Sequence, residues 1–191
     1  MRTRSLSHEA LVLRLADAFR IHGYDGVTLN ELARSAGLNK ASLYHFFPGG
    51  KEEMALATLN LAHAWIGREI VDVLKSGVPG SERIRTVNKA LDAFYENGQK
   101  ACLLELMVAS TAGEKIKTSI RTSFSELMKG FEDFFRELGW SAADARSKAE
   151  VAIVCIQGSL ILSRALKNSG PFKRQLKTLE ISLSEPPPSD R

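Results

Sequence analysis

The sequence predicts an all-α fold of about nine helices, with an N-terminal three-helix helix-turn-helix domain and a larger C-terminal helical domain. Three observations carry that prediction. Apolar residues recur at three- and four-residue spacing over most of the 191 residues. No stretch alternates apolar and polar residues between hairpin-type turns, as half-buried strands do. Glycines and short polar residues fall where helices would stop and start.

The first helix is expected over residues 7–22, with Val12, Ala16 and Phe19 on one face, Leu11, Leu15 and Ala18 beside them, and Gly23 as its stop. Thr28 and Glu31 stand at capping-box spacing and open a short second helix that Gly37 ends. A third short helix covers 39–46 and stops at Pro48-Gly49-Gly50. Lys51 begins a long helix reaching about residue 75, before Gly77 and Pro79. The next, 81–97, carries Ile84, Val87, Leu91 and Phe94, and a shorter apolar helix lies around 101–110.

Residues 114–138 give the cleanest apolar stripe: Ile116, Ile120, Phe124, Leu127, Phe131, Phe134 and Leu138, closed by Gly139. Ser141 and Asp144 cap a helix running to about 168. Its stretch 151–162 is apolar nearly all the way round and needs cover on more than one side. Gly170-Pro171 start a last amphipathic helix with Phe172, Leu176, Leu179 and Leu183. The final segment 185–191, with three consecutive prolines, is expected to be a disordered tail.

Composition narrows the class. At 44% apolar and 25% charged residues the chain reads as a soluble globular protein, which excludes collagenous, disulfide-scaffold and wholly disordered classes. The apolar run 151–162 is shorter than the about 20 residues of a membrane-spanning helix. The first ten residues lack the apolar core of a signal peptide, so a cytoplasmic protein without a membrane partner is expected. Cys102 and Cys155 suit core packing in a reducing compartment, with a redox-responsive role as the alternative. The net charge of +4 suits nucleic acid or an acidic partner without demanding either.

No catalytic, metal or cofactor site is expected. Pro48-Gly49-Gly50-Lys51 lacks the upstream glycine spacing, the following Ser/Thr and the preceding strand of a phosphate loop. His8, His22, His45 and His63 show no metal-ligand spacing with carboxylates or cysteines. An all-helical enzyme is therefore the remote alternative to a binding protein.

The specific signal lies in residues 28–47. Two short helices joined by Ala36-Gly37-Leu38 form a helix-turn-helix, with small Ala33 at the crossing and Leu32, Leu38 and Leu43 as apolar contacts. Leu43, Phe46 and Phe47 are assigned to packing. The run Thr28-Leu29-Asn30-Glu31-Leu32-Ala33, then Ala36-Gly37-Leu38, then Ser42-Leu43-Tyr44-His45-Phe46-Phe47-Pro48 and Lys51-Glu52-Glu53 resembles the DNA-binding domain of the TetR/AcrR family. Gly23-Tyr24-Asp25-Gly26-Val27 is similar to the family's linker before it. The extra residue in Pro48-Gly49-Gly50-Lys51, Cys102-Leu103-Leu104 and Gln157-Gly158-Ser159-Leu160 resemble the LmrA/YxaF-like branch.

The resemblance implies a DNA-binding domain over 1–52, a ligand-binding and dimerisation domain over 53–184, and a ligand-responsive repressor that binds a palindromic double-stranded DNA operator as a dimer. Residues 39–46 would be the recognition helix, with Lys40 as the base reader and Asn39 and Ser42 reaching bases or phosphates. Tyr44 would donate to a phosphate, and His45 either does the same or lies on a solvated face. Thr28 and Lys51, at helix starts, would clamp phosphates. Arg2 and Arg4 form either a minor-groove arm or a plain solvated terminus.

Residues 1–51 hold seven basic residues (Arg2, Arg4, Arg14, Arg20, Arg34, Lys40, Lys51) against four acidic ones (Glu9, Asp17, Asp25, Glu31), a modest excess for a lone DNA-binding module. The homodimer would form through helices at about 141–168 and 171–183, the alternative being that the apolar helix is buried within one subunit. A small hydrophobic or aromatic inducer would meet Trp65, Phe94, Tyr95, Met107, Phe124, Met128, Phe131, Phe135 and Gln157, each of which is otherwise ordinary core. A regulator without a ligand, or an activator, is a further alternative.

Overall fold

A computed structural model of the chain describes residues 7–182. Arg2 and Arg4, Leu183 and the tail 185–191 lie outside them. Among the described residues there are nine helices and no strand. They are α1 (His8–Gly26), α2 (Leu29–Ala36), α3 (Lys40–Phe46), α4, α5 (Gly80–Phe94), α6 (Leu103–Val108), α7 (Glu114–Glu137), α8 (Ala142–Ala165) and α9 (Gly170–Ser182). Helix α4 runs Gly50–Ile66 and continues without a break through a π-turn, Gly67–Val71, and a closing turn, Asp72–Leu74.

Two compact units emerge. One comprises the described residues up to His63 together with Leu103–Arg121; the other comprises Ala64–Cys102 and the described residues from Thr122 onward. The division therefore differs from a boundary at residue 52, because a later segment folds with the N-terminal head. Its short helix α6 packs on α1, and Thr111 bonds Asp25.

In the first unit, α1 starts at Ser7, whose hydroxyl accepts the Ala10 N–H at 3.2 Å. Gly23, the expected stop, takes φ 70° and ψ 171°, and the chain resumes a helical turn before Val27. Leu11, Leu15, Phe19, Leu32, Leu43, Phe47, Met54 and Met107 are buried there, a small core that fixes three short helices which would be unstable alone. Arg14 donates to the Ala36 carbonyl at 3.0 Å, satisfying a terminal acceptor of α2.

In the second unit most of the expected stripe of α7 is inside: Leu127, Phe131 and Phe134 are buried and Phe124 and Leu138 half-buried, beside buried Phe135 of the same helix, Leu160 of α8 and Phe172 of α9. Two polar ties set the register of α9. Asn88 donates to the Leu176 carbonyl at 2.8 Å, and Ser163 accepts the Phe172 N–H at 3.0 Å. Gly98, at φ +84°, lies so close to Phe172 that a Cβ would stand 2.6 Å from the Phe172 Cβ. A larger residue there would both strain the turn and push Phe172 out.

Candidate nucleic-acid interface

The helix-turn-helix is held by local chemistry at each corner. Thr28 caps α2: its hydroxyl accepts the Glu31 N–H at 3.2 Å and donates to Glu31 Oε2 at 2.9 Å, and its own N–H donates to that oxygen at 2.7 Å. Gly37 closes α2 in the left-handed conformation, φ 70° and ψ 30°. A Cβ at Gly37 would also stand 3.0 Å from Arg14 Nη1. Asn39 caps α3, its Oδ1 accepting the Ser42 N–H at 2.8 Å.

Leu43 and Phe47, four residues apart, turn α3 inward, both nearly inaccessible. That anchoring leaves Lys40, Ala41, Tyr44, His45 and Phe46 on the outside. Phe46 departs from its expected packing role, being 41% exposed and edge-on to His45 at 6.0 Å. On the helix Phe46 stands about 60° to one side of Leu43 and Phe47 about 40° to the other, so Phe46 lies at the edge of the inward face and is left partly exposed.

The other residues expected at the interface have defined partners. The Thr28 hydroxyl is committed to Glu31, so the groups at the start of α2 left to meet a phosphate are the Leu29 and Asn30 N–H. The Lys51 ammonium lies 3.5 Å from the Asp25 carbonyl and 4.8 Å from the centroid of the Tyr24 ring. Glu53 Oε2 accepts the Gly49 N–H at 2.6 Å, closing the junction before α4. Burial first, then the charges of Glu52 and Asp25, raises the Tyr24 phenol above its ordinary value.

Of the residues expected around a ligand, the structure gathers Trp65, Phe94 and Tyr95. Trp65 stacks on Phe94 at 3.9 Å, while Tyr95 stands edge-on to both, at 6.4 and 5.0 Å, and to Phe172 at 6.2 Å. Phe131 and Phe135 are buried, and Phe124 and Met128, one turn apart on α7, are half-buried. The Oε1 of Gln157 is buried with no hydrogen-bond partner. Met107 is fully buried and belongs to the first unit. A separate open groove of about 350 Å³ runs between α8 and α9, lined by Cys155, Gly158, Leu162 and Arg174 among others.

A capped helix-turn-helix that presents one short helix outward, followed by a larger helical domain, defines a DNA-binding transcriptional regulator. Residues 16–58 match the tetR family of bacterial regulatory proteins, and residues 82–178, just over half of the chain, match the LmrA/YxaF-like transcriptional regulator C-terminal domain. The chain belongs to the TetR family, with a C-terminal domain of the LmrA/YxaF-like type. It is a regulator, not an enzyme.

Among its relatives is the HTH-type transcriptional regulator LmrA of Bacillus subtilis (strain 168), 28% identical over 170 residues that span 87% of this chain and 90% of that one. The fold is shared with a TetR regulator from Legionella pneumophila, TM-score 0.81 at 18% identity, covering 96% of this chain and all of that one. It is shared too with a cysteine-substituted CifR complexed with 26-bp operator DNA, TM-score 0.71 at 21% identity, covering 95% and 98%. Among the described residues no helix is long and apolar enough to cross a membrane.

Proposed function

We propose that the protein is a cytoplasmic repressor that binds a palindromic operator as a homodimer and is released by a small hydrophobic or aromatic molecule. The observation that carries the dimer is the outer face of α8. Val151, Val154, Ile161 and Leu162 are all large, apolar and exposed on that one helix, with Leu166 just beyond it and Ile181 on α9. A contiguous patch of that kind marks an interaction site, and a two-fold partner covers it with the same patch. The groove between α8 and α9 supplies the hollows such packing needs.

On DNA, the head 1–52 places α3 in the major groove. Lys40 donates to guanine O6 or N7, with Asn39 and Ser42 beside it at the helix start. Tyr44 and His45 donate to phosphates, as do the Leu29 and Asn30 N–H that follow Thr28 and, less directly, Lys51. The modest positive charge of one head calls for two heads acting together, because each neutralised phosphate adds affinity.

The Trp65–Phe94 stack, with Tyr95 and the buried Gln157 oxygen in the same unit, is the kind of lining that takes a flat apolar molecule with one hydrogen-bond donor. Such a ligand releases DNA if it prefers a conformation in which the two recognition helices no longer match the operator, and DNA must then weaken the ligand to the same degree. The test is to sequence the genomic fragments retained by purified protein and to measure the mass of the complex by light scattering. One inverted repeat with two chains bound is expected; a monomer, or retained DNA with no common motif, overturns the reading.

A further inference from the structure

Asp25 lies in the closing turn of α1, within the Gly23–Val27 linker stretch that leads into α2 and three residues before the cap of the helix-turn-helix, and its carboxylate is occupied by a residue 86 positions away. Both carboxylate oxygens accept the Thr111 backbone N–H, at 3.2 and 3.0 Å, and Oδ1 also accepts the Thr111 hydroxyl. The surroundings reinforce the joint. Lys51, next to the start of α4, reaches the Asp25 carbonyl and lies over Tyr24. Two residues beyond Thr111, Gly113 faces the Glu52 side chain of α4, whose Oε1 would stand 3.0 Å from a Cβ there.

We propose that Asp25 is a positioning residue for DNA binding: its grip on Thr111 sets the attitude of the helix-turn-helix, so that a dimer accepts one half-site spacing and rejects its neighbours. This rests on the dimeric reading above. The segment Leu103–Arg121 belongs to the head, yet the chain leaves it at both ends for the second unit. Among the described residues it is therefore the only later segment that is part of the head. Within it, Thr111 holds the linker from which α2 and then α3 depart. The joint is exposed, so it adds little to the fold, whose apolar contacts between α1 and α6 remain without it. What it removes is a freedom of the linker, and loose linkers would let each head follow a shifted half-site. The Thr111 hydroxyl, then its N–H, hold the Asp25 carboxyl below the ordinary carboxylate value, which favours the ionised acceptor.

The experiment uses the full chain and 30-bp duplexes. The inverted repeat selected by the wild type from a random-sequence library is compared with versions whose centre is one base pair longer or shorter. One base pair turns one half-site relative to the other by about 35°. The wild type is expected to bind the altered duplexes at least about tenfold more weakly. Asp25→Ala keeps the affinity for the selected duplex within about threefold and loses most of the spacing penalty; Thr111→Val, which removes the hydroxyl and leaves the backbone N–H bonds, loses part of it, the double variant does no more than Asp25→Ala, and Thr111→Ser keeps it.

An Asp25→Ala variant that keeps the full penalty overturns the proposal. So does an equal loss on all three duplexes with a lowered Tm, which is the signature of a merely structural contact. The mass of the wild-type complex separates the two readings. A monomer on DNA defeats the dimer and this proposal with it, whereas a dimer with unaltered variants defeats this proposal alone.

Discussion

Thr28 and Glu31 bond reciprocally: the threonine hydroxyl and N–H both donate to Glu31 Oε2, and the hydroxyl accepts the Glu31 N–H in return. Replacing Thr28 by Ala is expected to lower stability by about 1 kcal/mol, the usual cost of an N-cap, measured by urea unfolding at fixed protein concentration. The pair also has a pH signature. The Thr28 N–H, then its hydroxyl, hold the Glu31 carboxyl below its ordinary value. A depressed carboxyl contributes stability above its unfolded pKa of about 4.3 and loses it as pH falls through the lower folded value. The difference in Tm between wild type and Glu31→Gln should therefore be full at pH 7 and shrink below about pH 4.

Arg83 and Glu137 make the counterpart in the second unit. The guanidinium donates to both carboxylate oxygens, at 2.7 and 2.5 Å, and to the carbonyls of Leu74 and Val78 at 2.8 and 2.6 Å. The Arg83 side chain is 7% exposed and that of Glu137 55%, so losing Glu137 strands a buried charge whereas losing Arg83 leaves a carboxylate in water. Glu137→Ala is expected to cost about 1.5–3 kcal/mol, and adding Arg83→Met to it to recover part of that loss. A double variant no more stable than Glu137→Ala would show that the stranded charge is not the cause.

On α3 two exposed side chains should separate by salt. Lys40→Ala is expected to cost about 1–3 kcal/mol of operator binding and to relax the preference for guanine at one position. Phe46→Ala should weaken binding through lost apolar contact while leaving the slope of log K against log salt unchanged, because no counterion is released by a phenyl ring. A slope altered by Phe46→Ala would mean that the ring acts by positioning a charged neighbour. Titration of both variants between 50 and 200 mM salt, a range that resolves one phosphate contact at about 0.9 per decade, decides it.

What the sequence discloses here follows the distance over which each feature is determined. The caps at Thr28 and Ser141, the left-handed Gly37 and the inward stripe of α7 depend on residues within one or two turns, and the structure has them. Gly23 is half legible: its positive φ is there, but the chain takes another turn after it, because Val27 bonds back to the Gly23 carbonyl at 3.3 Å. The pairing of Asp25 with Thr111 and of Arg83 with Glu137 spans 86 and 54 residues, and periodicity carries no information at such range. Phe46 is a different case: three residues after Leu43 its position suits packing as readily as exposure, and the contacts of α3 leave it outside.

The face of α8 gives the sharpest test of assembly. Val154 is 69% exposed and Ile21, on α1, 76%, so exposure alone does not distinguish them. Their neighbours do: Val154 stands in line with Val151, Ile161 and Leu162, while Leu13, the other exposed large apolar residue of α1, lies eight positions from Ile21. An aspartate at Val154 would be buried without a counter-charge in a two-fold interface, a cost far above what one apolar contact returns. At Ile21 it would simply be solvated. Val154→Asp is therefore expected to halve the mass measured by light scattering, leave the far-ultraviolet circular dichroism unchanged and lower operator affinity steeply. Ile21→Asp should leave the mass as it is. If Val154→Asp remains a dimer of wild-type stability, this face of α8 is not where two chains meet, and the exposed apolar row must serve another partner.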